Sequence, residues 1–173
     1  MSPPFLICFY GPESTGKSTL AVRMAERYRT GYVPEVAREI ITSNKFTVND
    51  IIRIARAQDQ RVREGMKVAN RVLFCDSDLI TTGIYSRTYL GVVPREVEEL
   101  EKNLRYDQYF LFDIDVPWVP DGLRDLGEKR EEMFAKFKSE LERRRIPYIL
   151  LSGNFEVREQ KVTAFVDALL SGK

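Results

Sequence analysis

Short apolar runs alternate along the chain with longer stretches whose apolar positions recur every three or four residues. The runs "PFLICFY" (4–10), "GYVPE" (31–35), "RVLFCD" (71–76), "QYFLFDID" (108–115) and "PYILLSG" (147–153) predict strands. The segments near 17–29, 36–43, 47–70, 78–90, 95–104, 128–145 and 155–170 predict helices. Strands separated by helices argue for a parallel sheet covered on both faces. The helix beginning near residue 48 carries a start signal, with Thr47 as N-cap and Asp50 three residues on. Gly172 is a natural stop after "FEVREQKVTAFVDALL". No repeat, low-complexity tract or linker interrupts the pattern, so residues 1–173 read as one domain.

Composition narrows the class without changing that picture. A chain of 173 residues can bury a real core, and 43% apolar with 31% charged residues is ordinary for a globular protein. A net charge of +1 gives no global attraction to nucleic acid or an anionic membrane. No apolar run approaches the ~20 residues of a membrane span. "MSPPFLICFYG" lacks the basic and long apolar regions of a signal peptide. A cytoplasmic protein is expected, with a homo-oligomer left open. Cys8 and Cys75 lie inside strand-like runs and read as buried reduced thiols. Histidine is absent, so a general base would be a carboxylate.

The chemistry concentrates at a few stretches. Gly11-Pro12-Glu13-Ser14-Thr15-Gly16-Lys17-Ser18 fits G-x-x-x-x-G-K-[ST] in full, after a strand and before a helix. Glycines let the backbone curl so that N–H groups face phosphate, and the helix N-terminus adds its positive end. Lys17 is placed to reach the β- and γ-phosphates, and the Ser18 hydroxyl to coordinate Mg²⁺. Asp76 closes "VLFCD" and reads as a second Mg²⁺ group, or else as a helix N-cap. Asp78 is balanced between binding acceptor hydroxyls and favouring a helix's first turn.

In "VPEVARE", Glu35 and Arg38 follow the second strand, where open α/β sheets bind ligands. Glu35 reads as general base or hydroxyl anchor, Arg38 as a phosphate contact or as the group orienting Glu35; a surface ion pair is the alternative. Gln58 falls on the apolar stripe Ile51, Ala55, Val62, Met66, Ala69 and must find partners, either substrate or structural. Thr81, Thr82, Tyr85 and Tyr89 share a helix face with Asp78, forming a polar-aromatic strip suited to a pocket or to packing. Trp118 lies in a Pro- and Gly-containing segment with Asp113, Asp115 and Asp121 near it in sequence, a setting for a flat cationic ring or for a core plug. Arg124 and Arg130 read as arginines reaching the transferred phosphoryl group from a lid at about 117–130. Asn154, after the last strand, is a candidate contact for the purine.

Together these stretches resemble the ribosylnicotinamide kinase (nicotinamide riboside kinase) domain of NadR-type proteins, among the P-loop kinases. The resemblance runs through "GPESTGKST", "VPEVARE", "DSDLITTGIYS", "DVPWVPDGLRD" and "SGNFEVRE", nearly the whole chain. It implies a three-layer P-loop NTPase fold of nucleoside/nucleotide-kinase type, with five parallel strands, helices on both faces and a lid. It implies transfer of the ATP γ-phosphoryl group to the 5′-hydroxyl of nicotinamide riboside, with Mg²⁺. Gly11 to Thr19 then take the triphosphate, Asp76 and Asp78 lie at the metal and acceptor side, and Trp118 lies near the nicotinamide. Two departures stand out: Val36 replaces the tyrosine of the family's common "PEYARE", and no adenylyltransferase-like segment precedes residue 4. The competing expectations are a kinase for another nucleoside or small alcohol, and a regulatory ATPase switch.

Overall fold

The computed structural model describes residues 2–120 and 126–172. Among these, the elements run β1 (Phe5–Tyr10), α1 (Lys17–Tyr28), β2 (Tyr32–Val33), α2 (Ala37–Ile40), α3 (Val48–Val68), β3 (Val72–Asp76), α4 (Leu79–Leu90), α5 (Arg95–Lys102), β4 (Gln108–Phe112), a 3₁₀ turn (Gly127–Lys129), α6 (Arg130–Arg143), β5 (Tyr148–Leu151) and α7 (Phe155–Ser171). The strands pair in parallel in the order β2-β3-β1-β4-β5. This is the expected five-stranded α/β sheet. The second strand is shorter than its apolar run, because Pro34 has no N–H to continue a ladder.

Alternating side chains of the central strands fill two separate faces. On one, Phe9, Phe74, Phe110 and Phe112 pack against Leu20 and Met24 of α1 and Val162 and Val166 of α7. The Phe9 ring lies 5.3–6.0 Å from those three phenylalanines, in tilted and edge-on arrangements. On the other, Tyr10, Tyr109 and Leu111 pack against Ile80 and Ile84 of α4 and Phe137 and Leu141 of α6. Val62 of α3 joins Leu6, Val33, Leu73 and Cys75. Each fully buried large side chain contributes about 1.5–3 kcal/mol, so these two faces hold the layers together. Cys8 and Cys75 face one another in register and are free; burial pushes both thiols up, keeping them protonated and inert.

The α3 start carries the full capping box. Thr47 Oγ1 accepts from the Asp50 amide at 3.3 Å, and the Thr47 amide donates to Asp50 Oδ2 at 2.8 Å. This fixes the start of the long helix that packs beside β2 and β3. Phe9 pairs with Asp76, so β1 and β3 end side by side. The loop after β1 and the carboxylate of Asp76 therefore emerge at the same carboxyl edge, the usual place for a ligand in an open α/β sheet.

Candidate active site

The phosphate loop is built from backbone that L-residues rarely adopt. Gly11 has φ +144°, Ser14 +59° and Gly16 +87°. At Gly11 the requirement is also steric, since a Cβ there would lie 3.0 Å from the Phe112 carbonyl oxygen and 3.3 Å from its Cβ. At Gly16 a Cβ would meet nothing within 4 Å, because that side opens on the cavity. Gly16 is also the N-cap of α1, with no side-chain cap and no acidic residue in the first turn. The helix thus presents its first amides and positive end to an anion.

Lys17 is only 7% exposed and donates from Nζ to the Pro12 carbonyl at 2.7 Å. Ser18 and Thr19 are exposed along the cavity, as expected of groups meant for a ligand. Asp76 is buried at the end of β3 and lines the same cavity. A hydroxyl and a carboxylate are hard oxygen donors, and that donor chemistry fits Mg²⁺ held jointly with phosphate oxygens.

The cavity measures about 440 Å³, the size of small-molecule sites, and extends from the phosphate loop to a second region. There Glu35 is half-buried just past β2, with Arg38 Nε 3.8 Å from its carboxylate. This contact is common to the orienting role and to the surface ion pair weighed for Arg38. Gln58 is 3% exposed; its Oε1 accepts from the Val36 amide at 3.4 Å, so it braces the backbone next to Glu35. Its Nε2 has no hydrogen-bond partner among the described residues. Thr82, Tyr85 and Tyr89 line this region, and Phe46 packs edge-on to Tyr89 at 5.2 Å. Burial pushes the Tyr85 phenol well up, with Glu13 and Glu35 adding to the rise, so it stays a neutral hydroxyl.

Four expectations meet a different geometry. Asp78 is 2% exposed and caps α4: its Oδ1 accepts from Thr81 N and Thr81 Oγ1, both at 2.9 Å, and its Oδ2 from the Tyr109 hydroxyl at 2.7 Å. Of the two roles weighed for Asp78, these contacts make the cap, and the residue also lines the cavity. Burial raises its pKa, outweighing the hydrogen bonds that lower it. Trp118 does not line the large cavity. Its indole packs on Gly127, with the Arg130 guanidinium 5.8 Å from the ring centre. The carboxylates expected around it turn away: Asp113 accepts from Ser152 Oγ at 2.7 Å, and Asp115 from the Gly153 amide at 2.6 Å. Asn154 caps α7 through Val157 N at 3.0 Å, and Phe155 reaches the cavity in its place. Arg130 sits behind the phosphate loop, donating to Val116 O at 2.6 Å and Ser14 O at 3.2 Å. Arg124 and Asp121 lie outside the described residues.

The sequence reading missed Arg158. It is 2% exposed, lines the cavity, and donates to Thr15 O, Gly153 O, Asp113 O and the Asp115 carboxylate. A signal existed: on α7 it stands on the same buried stripe as Val162 and Val166. A charged residue on an inward face demands partners.

Three comparisons bear on this site. The AAA domain family matches residues 6–158. The trifunctional NAD biosynthesis/regulator protein NadR of Escherichia coli K12 is 31% identical over 151 residues, covering 83% of this chain and 37% of that protein. The chain spans about a third of the length of the curated relatives it matches. Among solved structures, a NadR protein in complex with NAD and AMP-PNP superposes with a TM-score of 0.78 at 21% identity, covering 94% of this chain and 48% of that one. A NadR protein in complex with NR gives 0.72 at 22% identity, covering 88% and 44%. Among the described residues, no helix is long and apolar enough to cross a membrane.

Proposed function

We propose that this chain, which belongs to the AAA domain family through its residues 6–158, is a kinase that phosphorylates nicotinamide riboside at its 5′-hydroxyl, giving nicotinamide mononucleotide. Its P-loop fold and its relation to NadR support ATP as donor. The observation that carries the acceptor is the charge of the second region. Glu35 and the buried Asp78 border it, Arg38 lies 3.8 Å from Glu35, and the cavity's other cations, Lys17 and Arg158, are bonded to the phosphate loop. Such a wall attracts a pyridinium ring and repels an acceptor that already bears phosphate. The aromatic faces for that ring are Tyr85, Tyr89 and Phe46 rather than Trp118.

In this reading Glu35, steadied by Arg38, takes the proton of the 5′-hydroxyl as its oxygen forms a bond to the γ-phosphorus. The bond from that phosphorus to the bridging oxygen breaks, and ADP leaves with the electron pair. Lys17 and the loop amides face the charge on the phosphoryl oxygens. Ser18 and Asp76 would hold Mg²⁺, which would supply positive charge to offset that of the phosphates. Gln58 Nε2 and the Tyr85 hydroxyl offer hydrogen bonds to the ribose or the carboxamide.

The test is direct. Purified protein with Mg²⁺-ATP and nicotinamide riboside should yield the mononucleotide by mass, and folded Lys17→Ala should yield none. ADP release without the mononucleotide would remove the acceptor assignment. Turnover by Lys17→Ala at the wild-type rate would remove the donor assignment.

A further inference from the structure

Three carbonyls of the phosphate loop are each held by a cationic side chain. Pro12 O accepts from Lys17 at 2.7 Å, Ser14 O from Arg130 at 3.2 Å, and Thr15 O from Arg158 at 3.1 Å. A trans peptide is planar, so its C=O and N–H point in opposite directions. Holding the Thr15 carbonyl at Arg158 therefore fixes the plane of the Thr15–Gly16 peptide, and with it the direction of the Gly16 N–H, at a point where both residues line the cavity. A donor on the carbonyl also polarises the peptide and strengthens the N–H at its other end.

Arg158 is suited to this task by its own anchoring. Nε donates to Gly153 O at 2.8 Å, and Nη2 to Asp113 O at 3.1 Å and to Asp115 Oδ1. The guanidinium lies over Phe112, 5.7 Å from the ring centre. One planar group thus ties the phosphate loop to the segments following β4 and β5. A lysine could keep the charge but not the fork.

We propose that Arg158 is a positioning residue for the triphosphate: it acts through the Thr15–Gly16 peptide, fixing the orientation of the amide that meets phosphate. This rests only on the nucleotide half of the proposed function, and its test needs no acceptor. Arg158→Lys and Arg158→Met are compared with wild type by calorimetric binding of Mg²⁺-AMP-PNP and of adenosine, alongside thermal melting of the free proteins. Both variants should bind Mg²⁺-AMP-PNP more weakly, by about 10-fold or more, the scale of one charge-assisted hydrogen bond. Adenosine affinity should change by less than about twofold, because the Thr15–Gly16 peptide belongs to the phosphate loop and adenosine carries no phosphate. Equal losses for both ligands, or an AMP-PNP affinity within twofold of wild type, would overturn the proposal. So would failure of Arg158→Lys to fold, since the residue would then be structural. If only Arg158→Met fails to fold, Arg158→Lys carries the test.

Discussion

Replacing Gly16 or Gly11 by alanine separates the two demands that the phosphate loop makes on its glycines. At Gly16, φ is +87° and a Cβ meets no atom within 4 Å, so the cost to the free protein is backbone strain alone. Left-handed backbone costs an L-residue about 1–2 kcal/mol. For a chain of this size 1 kcal/mol is worth about 2–4 °C, so Gly16→Ala should melt about 2–8 °C lower. At Gly11, φ is +144°, and the added Cβ meets the Phe112 carbonyl at 3.0 Å and its Cβ at 3.3 Å. Phe112 is in the core and has no room to retreat. Strain of up to about 3 kcal/mol plus that contact should lower melting by about 6–12 °C or more. Ligand binding ranks the pair the other way per degree lost. The Gly16 methyl occupies the open side of the nest, so folded Gly16→Ala should lose Mg²⁺-AMP-PNP binding by about 100-fold, some 2.7 kcal/mol. Thermal melting of the free variants and calorimetry at a temperature where both are folded measure the two effects. Wild-type AMP-PNP affinity in Gly16→Ala, or a larger melting loss there than in Gly11→Ala, would refute the assignment of the nest to these amides.

Two other variants address the acceptor side. Glu35→Gln should lower kcat by about 10²–10⁴ with the KM for ATP unchanged, as removal of a general base does; a kcat within threefold of wild type would show that Glu35 is not the base. Asp78→Asn tests the buried cap through pH. Burial holds the native carboxyl above its ordinary value of 3.8, so as pH rises from there the unfolded chain releases its proton first and the native state loses stability. The melting temperature of Asp78→Asn minus that of wild type should therefore grow more positive from about pH 4 to pH 7. A flat or falling difference would contradict it.

The fold was legible because its signals are local. Each apolar run produced a strand, Thr47 and Asp50 announced α3, and the glycine pattern placed the nest. The misplaced residues share a physical reason: their side chains bond to neighbours in sequence or space that no periodicity reveals. Asp78 and Asn154 are both helix N-caps, a role their residue types favour as strongly as ligand contact. Trp118 follows Arg130 and Gly127, far along the chain, and adjacent carboxylates say nothing about where an indole turns. Arg158 was readable in principle, since the argument applied to Gln58 on α3 holds equally for a guanidinium on the buried stripe of α7.

The unequal anchorage of the two halves of the cleft sets how this scaffold tolerates change. The donor half grows from β1, flanked by strands on both sides, while Glu35 hangs from β2, an edge strand joined to β3 by Tyr32↔Phe74 and Val33↔Cys75 alone. Insertions or exchanges across residues 34–47 fall outside every strand pairing and leave the central sheet intact. If the proposed kinase is to be turned to a new alcohol, residues 34–47 are the part of the pocket open to grafting, while Gln58, Tyr85 and Tyr89 stay fixed on α3 and α4.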